Sequence, residues 1–211
     1  MAPGFFITFE GGEGTGKTTQ IELLLHHLEA RGFEVVRTRE PGGTPLAEAI
    51  RSVILDPVHA PDGVVEALLV EAARRDHVEK FIRPSLERGA VVICDRFTDS
   101  SLVYQGVVRG VGWDEVERLN DLATGGLRPD RTLVFDMEHA SAVGRARNRN
   151  SEGTLLDTRF DDEPESFHEA VRRGYRELAR RFPERVTVVD ASGDAASVFE
   201  RVRTSLPEDL R

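Results

Sequence analysis

The chain has 211 residues, long enough to bury a sizeable core and short enough for one domain or at most two. With 39% hydrophobic and 31% charged residues it reads as a soluble globular protein, and no apolar run approaches the roughly 18 residues of a membrane span. The net charge of −9 argues against bulk binding to nucleic acid or anionic membrane, so any anionic ligand needs a local basic site.

Phe5–Glu10 (FFITFE) is a short apolar run that ends at a cluster of glycines. Lys17 to Arg31 then has helical spacing, with Ile21, Leu24, Leu25 and Leu28 on one face and Gly32 as the stop. FEVVRT (Phe33–Thr38), AVVICD (Ala90–Asp95), RTLVFD (Arg131–Asp136) and RVTVVD (Arg185–Asp190) are runs of buried-strand type. Helical stretches lie between them, the longest from Val64 to Leu86, with others near Asp114–Ala123, Ser166–Arg181 and Ala195–Ser205. Alternating strands and helices predict an α/β fold, doubly wound, with a mostly parallel five-stranded sheet and helices on both faces. There is no internal repeat, low-complexity linker or domain boundary, so the expectation is a single domain over 1–211. Asn148 to Pro164 is the least periodic and most polar stretch and is a candidate mobile loop.

Ligands of such sheets sit beyond the carboxyl ends of the strands. The polar residues there are Glu10, Thr38–Arg39–Glu40, Asp95–Arg96, Asp136 and Asp190. Gly11, Gly16, Lys17 and Thr18 satisfy G-x-x-x-x-G-K-[ST] between a predicted strand and helix, the context this phosphate-binding loop requires. Its residues Gly11, Gly12, Glu13, Gly14, Thr15, Gly16, Lys17, Thr18 and Thr19 form the expected ATP site. Glycines let backbone N–H groups turn onto phosphate oxygens, and the helix N-terminus adds partial positive charge. Lys17, one of two lysines in the chain, is expected on the β/γ-phosphates, and the Thr18 hydroxyl on Mg²⁺. A GTPase would carry a guanine-reading N-K-x-D, and neither Lys17 nor Lys80 follows an asparagine. Asp95–Arg96 ends a strand: Arg96 can clamp an acceptor phosphate with two donors while Asp95 organises Mg²⁺ or its waters.

FEGGEGTGKTTQ, TREPGGT (Thr38–Thr44), AARRDHVE (Ala72–Glu79) and DRFTDSSLVYQG (Asp95–Gly106) together resemble the thymidylate kinase family, and GRARNRN with the segment after it is similar to that family's lid and following helix. The likeness runs over nearly the whole chain in the family's order. It implies an ATP:dTMP phosphotransferase with Mg²⁺, cytoplasmic and homodimeric, with the Val64–Leu86 helix contributing to the dimer. It also implies an acceptor site built from Glu13 on the ribose 3′-hydroxyl, Arg39 and Arg96 on the phosphate, and Arg74 on the base. Ser100, Ser101, Tyr104 and Gln105 are expected to line the nucleoside pocket, Tyr104 excluding a ribose 2′-hydroxyl. Where the family usually carries a phenylalanine that stacks on thymine, this chain has Val70, so another monophosphate such as dUMP stays open as acceptor.

Some members carry an arginine within the phosphate loop; here Gly14 and Thr15 occupy that region. The catalytic cations are then expected from a lid at about 145–164, with Arg147, Arg149 and Arg159 as candidates beside Lys17 and Arg96, and Arg145 on ATP. The lid reads LDTRFD where L-D-R-[FI]-E is usual. No general base is needed, because a phosphate monoester with a second pKa near 6 is already largely ionised at neutral pH. The histidines, among them His26 and His27, show no ligand spacing, and the lone Cys94 reads as a small core residue inside a strand, in keeping with a reducing compartment.

Overall fold

In the computed structural model, which describes residues 4–137 and 163–211, five strands form one sheet: β1 (Phe5–Gly11), β2 (Val35–Arg39), β3 (Val91–Asp95), β4 (Arg131–Asp136) and β5 (Val186–Asp190). Their order is β2-β3-β1-β4-β5, and every pairing is parallel. The change of direction beside β1 puts the loop after it at the sheet's switch point, where such folds take their ligands.

The helices are α1 (Lys17–Ala30), α2 (Pro45–Leu55), α3 (Gly63–His77), α4 (Arg83–Glu87), α5 (Thr98–Ser101), α6 (Trp113–Thr124), α7 (Glu165–Arg181) and α8 (Ala195–Thr204). Side chains of β1 alternate between the two faces, as a strand requires. Ile7 and Phe9 enter a core with Ile21, Leu24 and Leu28 of α1 and Val198 and Val202 of α8. Phe9 and Phe135 stack there with ring centres 5.4 Å apart. Phe6 faces the other way, against Val78, Ile82 and Phe97. Thr8 and Glu10 share that second face and are buried polar groups, so each needs partners inside the protein.

Three helical regions differ from expectation. The predicted helix Val64–Leu86 is α3 and α4 joined by a π-helical turn, Val78–Ile82. Pro84 accounts for the break: it has no N–H for the bond four residues back, and its ring crowds that carbonyl. A second π stretch, Leu102–Val108, continues α5 and carries Tyr104 and Gln105. Helix α2 was not anticipated, although its start is regular: Thr44 Oγ1 accepts from Ala47 N at 3.2 Å, and Pro45 takes the first turn, where no N–H is needed. The candidate lid arginines Arg145, Arg147, Arg149 and Arg159 lie outside the described residues.

Candidate active site

Beyond the carboxyl ends of β1, β2 and β3 lies a cleft of about 790 Å³. It gathers Glu13, Gly14, Thr15, Gly16, Lys17 and Thr18 from the glycine loop, Arg39 from β2, and Val70 and Arg74 from α3. Asp95 and Arg96 come from the end of β3, and Ser100, Ser101, Tyr104 and Gln105 from the segment after it. Gly11 and Gly12 form the base of the loop, and Thr19, exposed on the first turn of α1, lies outside the lining.

Local chemistry explains the loop. Gly11 has φ +127°, and a Cβ there would stand 2.4 Å from the Phe135 carbonyl oxygen of β4, so only glycine fits. Lys17 Nζ donates to the carbonyls of Gly11 at 3.1 Å and Gly12 at 2.9 Å, which holds the ammonium over the loop. Thr15 Oγ1 donates to Gly12 O at 2.9 Å and braces the same turn. Burial and the nearby Arg96 guanidinium push the Lys17 ammonium below its usual pKa, with Glu13, Asp95 and Glu10 opposing. A phosphate over the loop would favour the charged form.

Arg96 is the hinge of the site. Its φ of 70° is left-handed, rare for a side chain of this size and a mark of a functional constraint. The bend is pinned from β1, since Arg96 N donates to Phe9 O at 2.9 Å and Phe97 N to Glu10 Oε1 at 2.8 Å. Its Nη1 reaches Gly11 O at 3.2 Å and Tyr175 Oη at 3.2 Å, its Nη2 pairs with Glu13 Oε1, and its guanidinium lies 5.2 Å from the Tyr104 ring centre. The ion pair supplies the compensation that Glu13 needs beside a phosphate site. Burial pushes the Tyr104 hydroxyl up to about 12 despite Arg96, so Tyr104 stays neutral.

Arg74 is placed less simply. It is almost sealed, with Nε donating to Glu40 Oε2 at 2.7 Å, Nη1 to Asn120 Oδ1 at 2.8 Å and to Glu71 Oε1, and Nη2 to Ser101 Oγ at 3.0 Å. These bonds leave one Nη2 hydrogen for the cleft. Val70 stands beside it, and Phe97 supplies an aromatic wall 5.4 Å from the Arg74 guanidinium. Gln105 Nε2 donates to the buried Glu66 at 2.7 Å, and Arg39 Nη2 to Glu48 at 3.1 Å on the open rim.

Three groups that matter to this geometry carried no role in the sequence. Glu10 was visible only as a polar strand end, Tyr175 as one residue of an amphipathic helix, and Glu40 as part of TREPGGT. Each gains its place from contacts with remote segments. Toward a divalent cation the donor set fits Mg²⁺: Asp95 Oδ1 is buried with no hydrogen-bond partner, and Thr18 carries a hydroxyl on the same lining. Mg²⁺ is held by one or two protein oxygens together with phosphates and water, and no group of three or more His, Cys, Asp or Glu able to hold a metal occurs among the described residues.

Known proteins resemble this chain over nearly its whole length. Residues 9–202 match the sequence model of the thymidylate kinase family. The chain is 50% identical to a thymidylate kinase of Symbiobacterium thermophilum over 206 residues, covering 97% of this chain and 94% of the relative. It is also 50% identical to one of Geobacillus thermodenitrificans, covering 96% and 90%. A crystal structure of thymidylate kinase from Ehrlichia chaffeensis superposes with a TM-score of 0.75 at 35% identity, covering 95% of this chain and 97% of that one.

Proposed function

The chain belongs to the thymidylate kinase family, and on that premise we infer that it transfers the γ-phosphoryl group of ATP to dTMP, giving dTDP and ADP. The observation that carries the reading is the shared cleft, with Lys17 and the glycine loop at one wall and Arg96, Ser101 and Tyr104 at another. Donor and acceptor can meet there in line.

In this reading an ionised oxygen of the dTMP phosphate attacks the γ-phosphorus, and the bond from that phosphorus to the bridging oxygen of ADP breaks. Charge spreads over the transferring group, so the protein's task is alignment and neutralisation. Lys17 faces the β/γ-phosphates and Arg96 holds the acceptor phosphate with its fork of donors, with Arg39 approaching from the rim. Glu13, already turned by Arg96, takes the ribose 3′-hydroxyl, and Tyr104 excludes a 2′-hydroxyl. Arg74 contacts the base, with Val70 beside it, and Ser100, Ser101 and Gln105 line the nucleoside pocket. Thr18 and Asp95 would hold Mg²⁺, which neutralises phosphate charge when bound. Arg147, Arg149 and Arg159 are proposed from sequence alone as further catalytic cations, and Arg145 as an ATP contact.

We also propose a cytoplasmic homodimer formed by a single kinase domain. Leu46 and Val53 of α2 and Val64, Val65 and Leu68 of α3 are exposed apolar side chains on two helices packed together, which supports that interface. No helix among the described residues is long and apolar enough to cross a membrane.

Val70 is the observation that favours a broader acceptor range, dUMP above all. A coupled assay of ADP release with ATP and a panel of monophosphates tests both readings. Turnover of dTMP well above dUMP is expected; equal turnover would assign a general deoxypyrimidine kinase, and none at all would refute the assignment.

A further inference from the structure

We propose that Glu10 is a positioning residue for the acceptor phosphate: its ionised carboxylate claims the hydroxyl protons of Ser100 and Tyr175 and so turns both oxygens toward the Arg96 guanidinium. The inference rests on Arg96 as the ligand of the acceptor phosphate.

Glu10 is the penultimate residue of β1 and is fully buried. Its Oε1 accepts from Phe97 N at 2.8 Å, and its Oε2 accepts from Ser100 Oγ at 2.6 Å and from Tyr175 Oη at 2.7 Å. The two hydroxyl oxygens lie 3.0 Å apart. Arg96 Nη1 donates to the same two oxygens, at 3.4 Å to Ser100 and 3.2 Å to Tyr175. A hydroxyl has a single proton. When both protons go to Glu10, both oxygens are left to accept from Arg96 Nη1, whose two hydrogens also face Gly11 O. A neutral Glu10 would bring a proton of its own to one hydroxyl, whose proton must then turn away. That proton can turn only to the other hydroxyl oxygen, 3.0 Å away, or toward Arg96, itself a donor, so in either case a proton competes with the guanidinium for an oxygen that ionised Glu10 leaves to it.

The same carboxylate also pins the backbone. Phe97 N, held by Glu10, is the peptide next to the left-handed Arg96, whose own N–H is tied to Phe9 O. Glu10 therefore fixes both the bend that aims Arg96 and the oxygens that hold its tip.

The groups facing Glu10 come from every element around it. Asp99 lies on α5, Arg96 and Cys94 on β3 and its end, Lys17 at the start of α1, Tyr104 on the π stretch, Tyr175 on α7, and Arg185 before β5. Burial, with Asp99 beside it, pushes Glu10 up to about 7 against the pull of Arg96, Ser100 and Tyr175. Thr132 Oγ1 and both Nη atoms of Arg185 hold Asp99 in place at 2.6–2.8 Å. The working form of Glu10 thus forms within the neutral range.

The test is steady-state kinetics of the full chain with ATP and dTMP across the neutral pH range, for wild type, Glu10→Gln and Tyr175→Phe. Glu10→Gln is expected to raise the dTMP KM by about tenfold or more, with the ATP KM within about twofold, because only the acceptor clamp is disturbed. Wild-type kcat/KM for dTMP should fall through two ionisations on the acid side, Glu10 and the substrate phosphate, and the variant through the phosphate alone. Tyr175→Phe, which keeps the ring, should raise the dTMP KM by about threefold or more, again sparing ATP. An unchanged dTMP KM and a wild-type pH profile in Glu10→Gln would overturn the proposal. If Glu10→Gln does not fold, an unchanged dTMP KM in Tyr175→Phe overturns it. Wild-type protein that phosphorylates no monophosphate refutes the reaction itself, whereas normal wild-type turnover with unaltered variants refutes only the role of Glu10.

Discussion

Arg74 Nε lies 2.7 Å from Glu40 Oε2, and the two side chains are only 1% and 2% exposed. The pair joins α3 to the turn after β2 beneath the acceptor side of the cleft. Glu40 Oε1 is also 2.9 Å from His77 Nδ1, and His77 Nε2 is 2.7 Å from Thr38 Oγ1. Glu40→Ala is expected to destabilise the protein by about 2–4 kcal/mol, since the buried Arg74 Nε and the His77 imidazole lose their partner while Glu71 still pairs with the guanidinium. Urea unfolding measures it, and a loss under about 1 kcal/mol would contradict the network described.

That pair also marks the boundary of what the sequence makes legible. The glycine loop is local: Gly11 to Thr18 follow one another, and their spacing alone predicts a turn that gathers backbone N–H groups and Lys17. The five strands are equally local, as short β-branched runs each closed by a polar residue. Arg74 is different: Glu71 is three residues away on the same helix, but its partners Glu40, Asn120 and Ser101 come from three segments that meet it only in the fold. Glu10 and Tyr175 are 165 residues apart in the chain. Helix α2 escaped because the preceding Pro41–Gly42–Gly43 and the Pro45 at its start read as a turn. The π stretch over Tyr104 keeps no regular helical period. Local chemistry is written in the sequence, and the positioning of one side chain by another is written in the topology.

Lys17→Ala should lower kcat by about 10²-fold or more, since one charge aimed at the transferring phosphoryl is lost. The Gly11 and Gly12 carbonyls that hold the ammonium lie in the loop itself, so the fold should survive. Circular dichroism together with single-turnover transfer separates the two effects. Near-normal transfer by a folded variant would refute the phosphate assignment of the loop.

Arg96→Lys keeps a charge but loses the planar fork that reaches Glu13, Gly11, Ser100 and Tyr175 together. We expect the dTMP KM to rise by at least about tenfold while ATP affinity stays within about twofold. Isothermal titration with each nucleotide reads both. Loss of ATP affinity with dTMP affinity intact would reverse the role given to Arg96.

Glu10 should also be visible in stability. Its folded pKa is about 7 against an ordinary value of 4.5, so between those values the folded protein binds a proton that the unfolded chain does not. Stability from this group is fully present below pH 4.5 and is lost as pH rises through about 7. The shift corresponds to about 3 kcal/mol at most. Asp136 acts oppositely: although burial works against its charge, it is held below its usual pKa by Arg172 and Arg176, and its stability is lost in acid. The observable is therefore the difference between wild type and Glu10→Gln, in which such shared contributions cancel. That difference should move against wild type by about 2.5 kcal/mol from about pH 5 to about pH 8, measured by urea unfolding at each pH. A difference that is flat across this range would mean that Glu10 titrates in its ordinary range and is ionised throughout. Acceptor binding would then owe its pH dependence to the substrate phosphate alone. A slope of the expected sign would mean that the charge which aims Arg96 is kept at a cost to stability, as buried charges at working sites often are.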